Sequence, residues 1–247
     1  MNLQRNLKGM FRKFGYDVIK FDMMSSALAR KRSLFHIYGI NLVFDVGANE
    51  GQFAEYLRRD IGYKHRIVSF EPLPSVFELL KVKTMQDALW QAVNVGLGDR
   101  VCRREINVSI NSQSSSFLNI LPSHLSAAPQ ARYIRKELAS VTTLDNVFTQ
   151  FYHEGDNVFL KLDTQGFEKR ILQGSANALH KIDNIQLEMS LVPLYEEEPT
   201  LNELLDYLRE NGFGPVSLEP VYFTENATDV LQIDAIFHRS TQSTHKK

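Results

Sequence analysis

The chain has 247 residues, 43% of them hydrophobic and 23% charged, which suits one sizeable packed α/β domain and argues against disorder. Its formal net charge of −1 leaves no global basic field, so nucleic acid is not expected as a partner. Cys102 is the sole cysteine, which excludes an intrachain disulfide and fits a reducing, cytoplasmic setting.

Residues 1–40 read as a helical extension. Its start carries Arg5, Lys8, Arg12 and Lys13 with no apolar core of a secretory signal behind them. A basic amphipathic helix there suits a membrane surface or an acidic partner; a solvated helix face is the simpler reading. No apolar run approaches the ~20 residues of a membrane span. The main domain is expected over residues 41–239. Leu42-Val43-Phe44 forms a first strand ending at Asp45, and a helix follows over residues 52–59. Ile67-Val68-Ser69-Phe70 is a second strand, ending at Glu71. Pro72 and Pro74 open the next helix, and a third strand covers residues 88–95.

Residues 100–145 read as an insertion. Within it, 105–110 alternates like a strand, 112–116 is a polar serine loop, 122–129 is irregular and 141–144 is a short extended piece. Regularity returns at Val158-Phe159-Leu160-Lys161-Leu162-Asp163. A helix follows Gly166, and a strand covers residues 185–189. Thr200 with Glu203 predicts a capping box for the next helix, and Gly212 is its stop. Two late strands, 216–218 and 233–237, have no helix between them and are expected to pair antiparallel. Residues 240–247 read as a flexible tail. This order predicts an α/β fold: a doubly wound, mainly parallel seven-stranded sheet with an antiparallel last hairpin.

Asp45-Val46-Gly47-Ala48-Asn49-Glu50-Gly51 lies beyond the carboxyl end of the first strand, where open α/β sheets bind ligands. Gly47 permits a tight turn, Gly51 lets the next helix approach the sheet, and the helix start favours a ligand carboxylate. The turn lacks a full dinucleotide fingerprint and a P-loop lysine. Asp45 at the strand end repels a pyrophosphate and favours a sulfonium cofactor with a free amino group, which points to S-adenosyl-L-methionine over NAD. Glu71, 71 − 51 = 20 residues past Gly51, suits the ribose hydroxyls. Ala48 and Asn49 complete the turn, and residues 94–99, from Asn94 to Asp99, are placed near the adenine.

Lys161 and Asp163 share one face of their strand, and Gln186, Glu188 and Ser190 share a face of the next. Buried carboxylates are costly unless paired or hydrated, and strand ends beside a cleft remove much of that cost. Asp163 or Glu188 suits a general base for a substrate hydroxyl, or together they suit Mg²⁺. The alternative is a structural ion pair of Lys161 with Asp163 or Glu188. His65, His124, His153, His180 and His238 are scattered, so no zinc site is expected. An NAD-dependent oxidoreductase, or a catalytically inactive scaffold on the same sheet, are the competing readings.

These strings together resemble the FkbM family of methyltransferases. The resemblance rests on Asp45 to Phe53, Ser69-Phe70-Glu71-Pro72, Leu97-Gly98-Asp99, Ser114-Ser115-Ser116, Gln186-Leu187-Glu188 and Gln232-Ile233-Asp234. It rests above all on Leu160-Lys161-Leu162-Asp163-Thr164-Gln165-Gly166-Phe167-Glu168. It implies a class I methyltransferase fold, S-adenosyl-L-methionine as cofactor and O-methylation of a hydroxyl, commonly of a sugar in a glycan or of a natural product. Many members of the family have Glu where this chain has Gln165, so the base is expected at Asp163 or Glu188 instead. The acceptor loops are expected in residues 1–40, 100–145 and around Tyr195.

Overall fold

The protein is represented by a computed structural model that describes residues 2–240, with side chains from Asn6 onward. Of the expected tail, residues 240–247, all but Ser240 lies outside the described residues. Helix α1 (Asn2–Lys13) is followed by a non-helical stretch and by α2 (Ala27–Ile37), whose N-cap Ser26 accepts from the Ala29 amide. Strand β1 (Leu42–Val46) leads into α3 (Gln52–Tyr56), which continues as a π-helical turn (Leu57–Ile61) closed by Gly62 at φ 75°. Then come β2 (Arg66–Phe70), α4 (Pro74–Thr84) and β3 (Trp90–Val93).

Strands β4 (Gly96–Leu97), β5 (Cys102–Ser109) and β6 (Tyr133–Thr142) form a separate three-stranded sheet, ordered β4-β6-β5. Helix α5 (Pro122–Ala127) lies between β5 and β6, where irregular chain was expected. Strand β6 runs ten residues, not four. Its first half is largely exposed, so its pairing with β5, not a hydrophobic alternation, holds it extended.

The chain returns to the main sheet through α6 (Leu144–Phe151), capped by Thr143, and β7 (Val158–Leu162). Helix α7 (Glu168–Gln173), β8 (Asn184–Ser190) and α8 (Leu201–Glu210) follow. The capping box at Thr200 and Glu203 is present in full. The last hairpin is β9 (Phe213–Phe223) with β10 (Val230–Arg239), longer than the sequence suggests. Pro215 and Pro220 obscure β9, but it is an edge strand, where a missing amide donor is tolerated.

The seven-stranded sheet has the order β3-β2-β1-β7-β8-β10-β9, parallel except for the pairings of β10. It is the doubly wound sheet with an antiparallel last hairpin that the element order predicts. Strands β1 and β7 are buried at every residue, as central parallel strands covered on both faces must be. Phe44, Leu160 and Leu187 face the larger core layer; Val43, Ile67 and Phe159 face the layer under α2 and α3. Among the described residues no helix is long and apolar enough to cross a membrane.

Candidate active site

The strand order reverses at β1, between β2 and β7, and the chain leaves β1 in the Gly47 turn. Gly47 sits at φ 74°, and a Cβ there would lie 1.9 Å from the Asp163 carbonyl oxygen. Its glycine therefore serves the close approach of two strand ends. Gly51, at φ 90°, starts α3, and a Cβ there would meet the Trp90 ring at 2.6 Å. Every amide of the turn is already used. Gly47 and Ala48 donate to the Phe70 carbonyl, and Gly51 donates to that of Ala48. Asn49 donates to Glu71 Oε2 at 2.9 Å, and Glu50 to Asn49 Oδ1. A pyrophosphate would find no free amide among these five, and the Gly47 carbonyl accepts from Lys161 Nζ at 3.4 Å.

Asp45 is the expected cofactor contact that the geometry moves furthest. Strand alternation puts it with Val43, away from Val46, and it lines neither cavity described below. It stands in register with Ser69 and Lys161, and Lys161 with Gln186, as a polar row across four strands. Ser69 donates to Asp45 Oδ2 at 3.1 Å and accepts from the Trp90 indole at 2.9 Å. Lys161 Nζ lies 3.2 Å from Asp45 Oδ1, an ion pair without hydrogen-bond alignment, and 3.3 Å from Asp163 Oδ2. Burial opposes the ammonium charge on Lys161, but Asp45 and Asp163 together hold its pKa above the usual lysine value. With Lys161 so close, Asp45 presents no net negative charge to a ligand. The discrimination against pyrophosphate rests on the occupied amides instead.

On the Val46 side of the sheet lies a narrow cavity of about 50 Å³. Glu71 lines it beside Leu73, Leu97, Ile106 and Phe117, with Ser115 and Ser116 opposite. Glu71 takes the amides of Asn49 and Leu73, at 2.9 and 2.8 Å, one on each carboxylate oxygen. Burial raises its pKa to about 7 against those two hydrogen bonds. The serine loop over residues 112–116, which the sequence leaves as a polar connection, closes the cavity: Asn49 Nδ2 donates to Ser112 Oγ at 3.1 Å. Asn94 and Asp99 line neither cavity. Asn94 is exposed and its amide holds the carbonyls of Glu71 and Pro72; Asp99 lies beside Gly174.

On the opposite side opens a cavity of about 600 Å³, walled by Lys161, Asp163, Glu188 and Asp234 and by Phe53, Tyr56 and Tyr222. Amide side chains dominate its remaining wall, among them Gln52, Asn111, Gln113 and Gln130. The two cavities share Gly47, Asn49, Gln113, Asp163 and Gln165.

Gln165 joins the expected carboxylates, and sequence reasoning gave it no role. It sits at φ 57°, with its carbonyl accepting from Ser116 at 2.7 Å. Its Nε2 donates to Asp163 Oδ1 at 2.8 Å and to Glu188 Oε2 at 2.9 Å, and its Oε1 accepts from Tyr195 at 2.6 Å. Gln232 adds a second amide to Glu188 at 3.1 Å. Burial, then Asp163 and Asp234, hold the Glu188 pKa well above the usual carboxylate range. Just behind, Glu168 accepts from the Thr164 amide and hydroxyl at 2.8 and 3.0 Å, and burial raises its pKa to about 7. The expected Mg²⁺ does not fit these residues. The gap between Asp163 and Glu188 holds an amide that already donates to both, and no three metal-ligating side chains cluster among the described residues.

A doubly wound sheet of this order, with its cleft beyond the carboxyl ends of β1 and β7, defines the class I methyltransferase architecture. A profile of the methyltransferase FkbM domain matches residues 45–215. The chain belongs to the FkbM methyltransferase family. No curated protein matches it. Among solved structures it is similar to a methyltransferase FkbM from Methylobacillus flagellatus KT, at 17% identity and a TM-score of 0.47. That match covers 79% of this chain, which spans only 43% of the Methylobacillus chain. It is also similar to the magnesium protoporphyrin IX methyltransferase of Synechocystis PCC 6803 with bound SAM, at 9% identity and a TM-score of 0.47, covering 86% and 78% of the two chains. A third likeness is the Aeropyrum pernix fibrillarin with bound S-adenosyl-L-methionine, at 10% identity and a TM-score of 0.45, covering 81% and 66%.

Proposed function

We propose that the protein transfers a methyl group from S-adenosyl-L-methionine to a hydroxyl oxygen of a polyhydroxylated acceptor, a sugar of a glycan or a related natural product. The observation that carries this reading is the junction of the two cavities, where Asp163 stands in both walls. Glu71 holds the ribose, with Leu73, Leu97 and Phe117 around the adenine. Admitting an adenosine requires the Ser112–Asn49 contact to open, because the narrow cavity is smaller than that group. The Gly47 carbonyl, beside its 3.4 Å contact with Lys161, receives the amino group on its second lone pair, and Asp45 acts only by fixing Lys161. Bound there, the cofactor supplies a methyl carbon whose bond to sulfur breaks, leaving the electron pair on sulfur, as the acceptor oxygen bonds to it.

The chain's own residues supply position and charge. Asp163 takes the hydroxyl proton as that bond forms. Lys161 orients Asp163, its ammonium 3.3 Å from Asp163 Oδ2. Glu188 stands behind it, tied to Asp163 by the Gln165 amide that donates to both carboxylates and fixes their spacing. No step runs through a metal. The amide-rich wall with Tyr56 and Tyr222 suits sugar hydroxyls and sugar ring faces.

The test incubates the protein with labelled cofactor and a panel of polysaccharides and sugar nucleotides, read by mass spectrometry. A sugar gaining one methyl group, lost in Asp163→Ala, is the expected result. Thermal stabilisation by NADH but not by S-adenosylhomocysteine would overturn the cofactor assignment.

A further inference from the structure

Every described side chain from Asn6 to Phe21 is exposed, so α1 buries none of them in the domain. Leu7, Met10 and Phe11 follow one another at spacings of three and one, which puts them on one face of the helix, and Phe14 follows in the turn that closes it. Phe14 is 74% exposed. Lys8 and Arg12 flank that face on one side and Lys13 on the other, and no Asp or Glu lies within α1. Arg12 is shared with Asp17 at 2.9 Å. The helix is a finished unit, closed by Gly15 at φ 81° and by the Tyr16 amide on the Phe11 carbonyl. Beyond it, Tyr16, Ile19, Phe21 and Met24 are exposed as well, Met24 at 90%.

A twelve-residue helix is marginal in water without a surface for its apolar face. The exposed apolar area here is far more than scattered surface residues need. A second copy of α1 packed face to face would bring basic flanks against basic flanks with no acidic partner in the helix. An apolar face bordered by cations is complementary to anionic lipid, with the rings among the acyl chains and the ammonium groups at the headgroups. We propose that α1 and the apolar segment after it lie in the interface of an anionic membrane and hold the domain there. This stands apart from the transfer reaction.

The test is co-sedimentation of the full chain with vesicles of phosphatidylcholine alone and of phosphatidylcholine mixed with phosphatidylserine. Binding is expected to the mixed vesicles, to weaken with salt and to be at least about tenfold poorer on phosphatidylcholine. Lys8→Ala with Lys13→Ala is expected to lower the affinity about 25-fold, about fivefold per cation. Phe11→Ser with Phe14→Ser is expected to lower it about tenfold or more. Both double variants keep the wild-type melting temperature, because all of these side chains are exposed. Equal binding to both vesicles, or no binding to either, overturns the proposal. So does a dimer in sedimentation equilibrium that the Phe11→Ser, Phe14→Ser variant dissolves.

Discussion

The two cavities share five residues yet have opposite characters. The Glu71 side is narrow, lined by Leu73, Leu97, Ile106 and Phe117, and closed by a serine loop. The Asp163–Glu188 side is wide and polar, with amides prominent in its wall. A narrow slot with apolar walls around Glu71 suits a single invariant ligand. A wide amide-lined bowl suits acceptors that differ in shape but share hydroxyls. The two demands meet at Gly47 and Asp163, where a Cβ on the glycine would collide with a strand-end carbonyl.

The sharpest way to break this division is Asp163→Asn. On the proposed chemistry kcat falls by about 10²–10⁴-fold, while calorimetry finds the Kd for S-adenosylhomocysteine changed by no more than a few-fold. An equal loss of cofactor affinity would place Asp163 on the cofactor side alone. Glu71→Gln should do the reverse. It removes a charged acceptor, so the cofactor Kd rises by about 10–100-fold with the acceptor KM unchanged. A raised acceptor KM would contradict the assignment of the narrow cavity.

Gln165→Glu probes the seam. It replaces an amide that donates to both Asp163 and Glu188 with a third carboxylate. Tm is expected to fall by about 5 °C, and, unlike that of the wild type, to climb when Mg²⁺ is added. A variant as stable as the wild type, indifferent to Mg²⁺, would remove the amide from its bridging role. The smallest effect is expected from Glu168. Its folded pKa of about 7 exceeds the ordinary 4.5, so the folded state binds the extra proton between those values. The stability this contributes is full below about 4.5 and is lost as pH rises to about 7, and Glu71 acts with the same sign. Glu168→Gln should flatten the fall of Tm across that window, measured by scanning calorimetry. An unchanged slope would mean that Glu168 titrates normally.

Much of the scaffold can be read from particular residues. The runs at 42–44, 67–70 and 158–162 are continuous and apolar because their strands are covered on both faces. The capping box at Thr200 is a local device and survives intact. The stretches that escape sequence reasoning are those without periodicity. Strand β6 is held by β5, and β9 carries two prolines that only an edge position excuses. Helix α6, behind the Thr143 cap, was hidden next to an extended piece.

The site divides in the same way. The residue types at Glu71, Asp163, Glu188 and Lys161, and their places at strand ends, are set by sequence, because strand periodicity fixes which of them share a face. Where each side chain points across strands is a matter of register and φ. Register put Asp45 in a buried row with Ser69, Lys161 and Gln186 instead of at a ligand. The left-handed backbone at Gln165 aimed its amide between Asp163 and the carboxylate of Glu188, which is 23 residues from Gln165 in the chain. Non-local contacts of that kind have no local signature, so the sequence determined the sheet, the family and the acidic strand ends, and tertiary structure alone decided which of them meet.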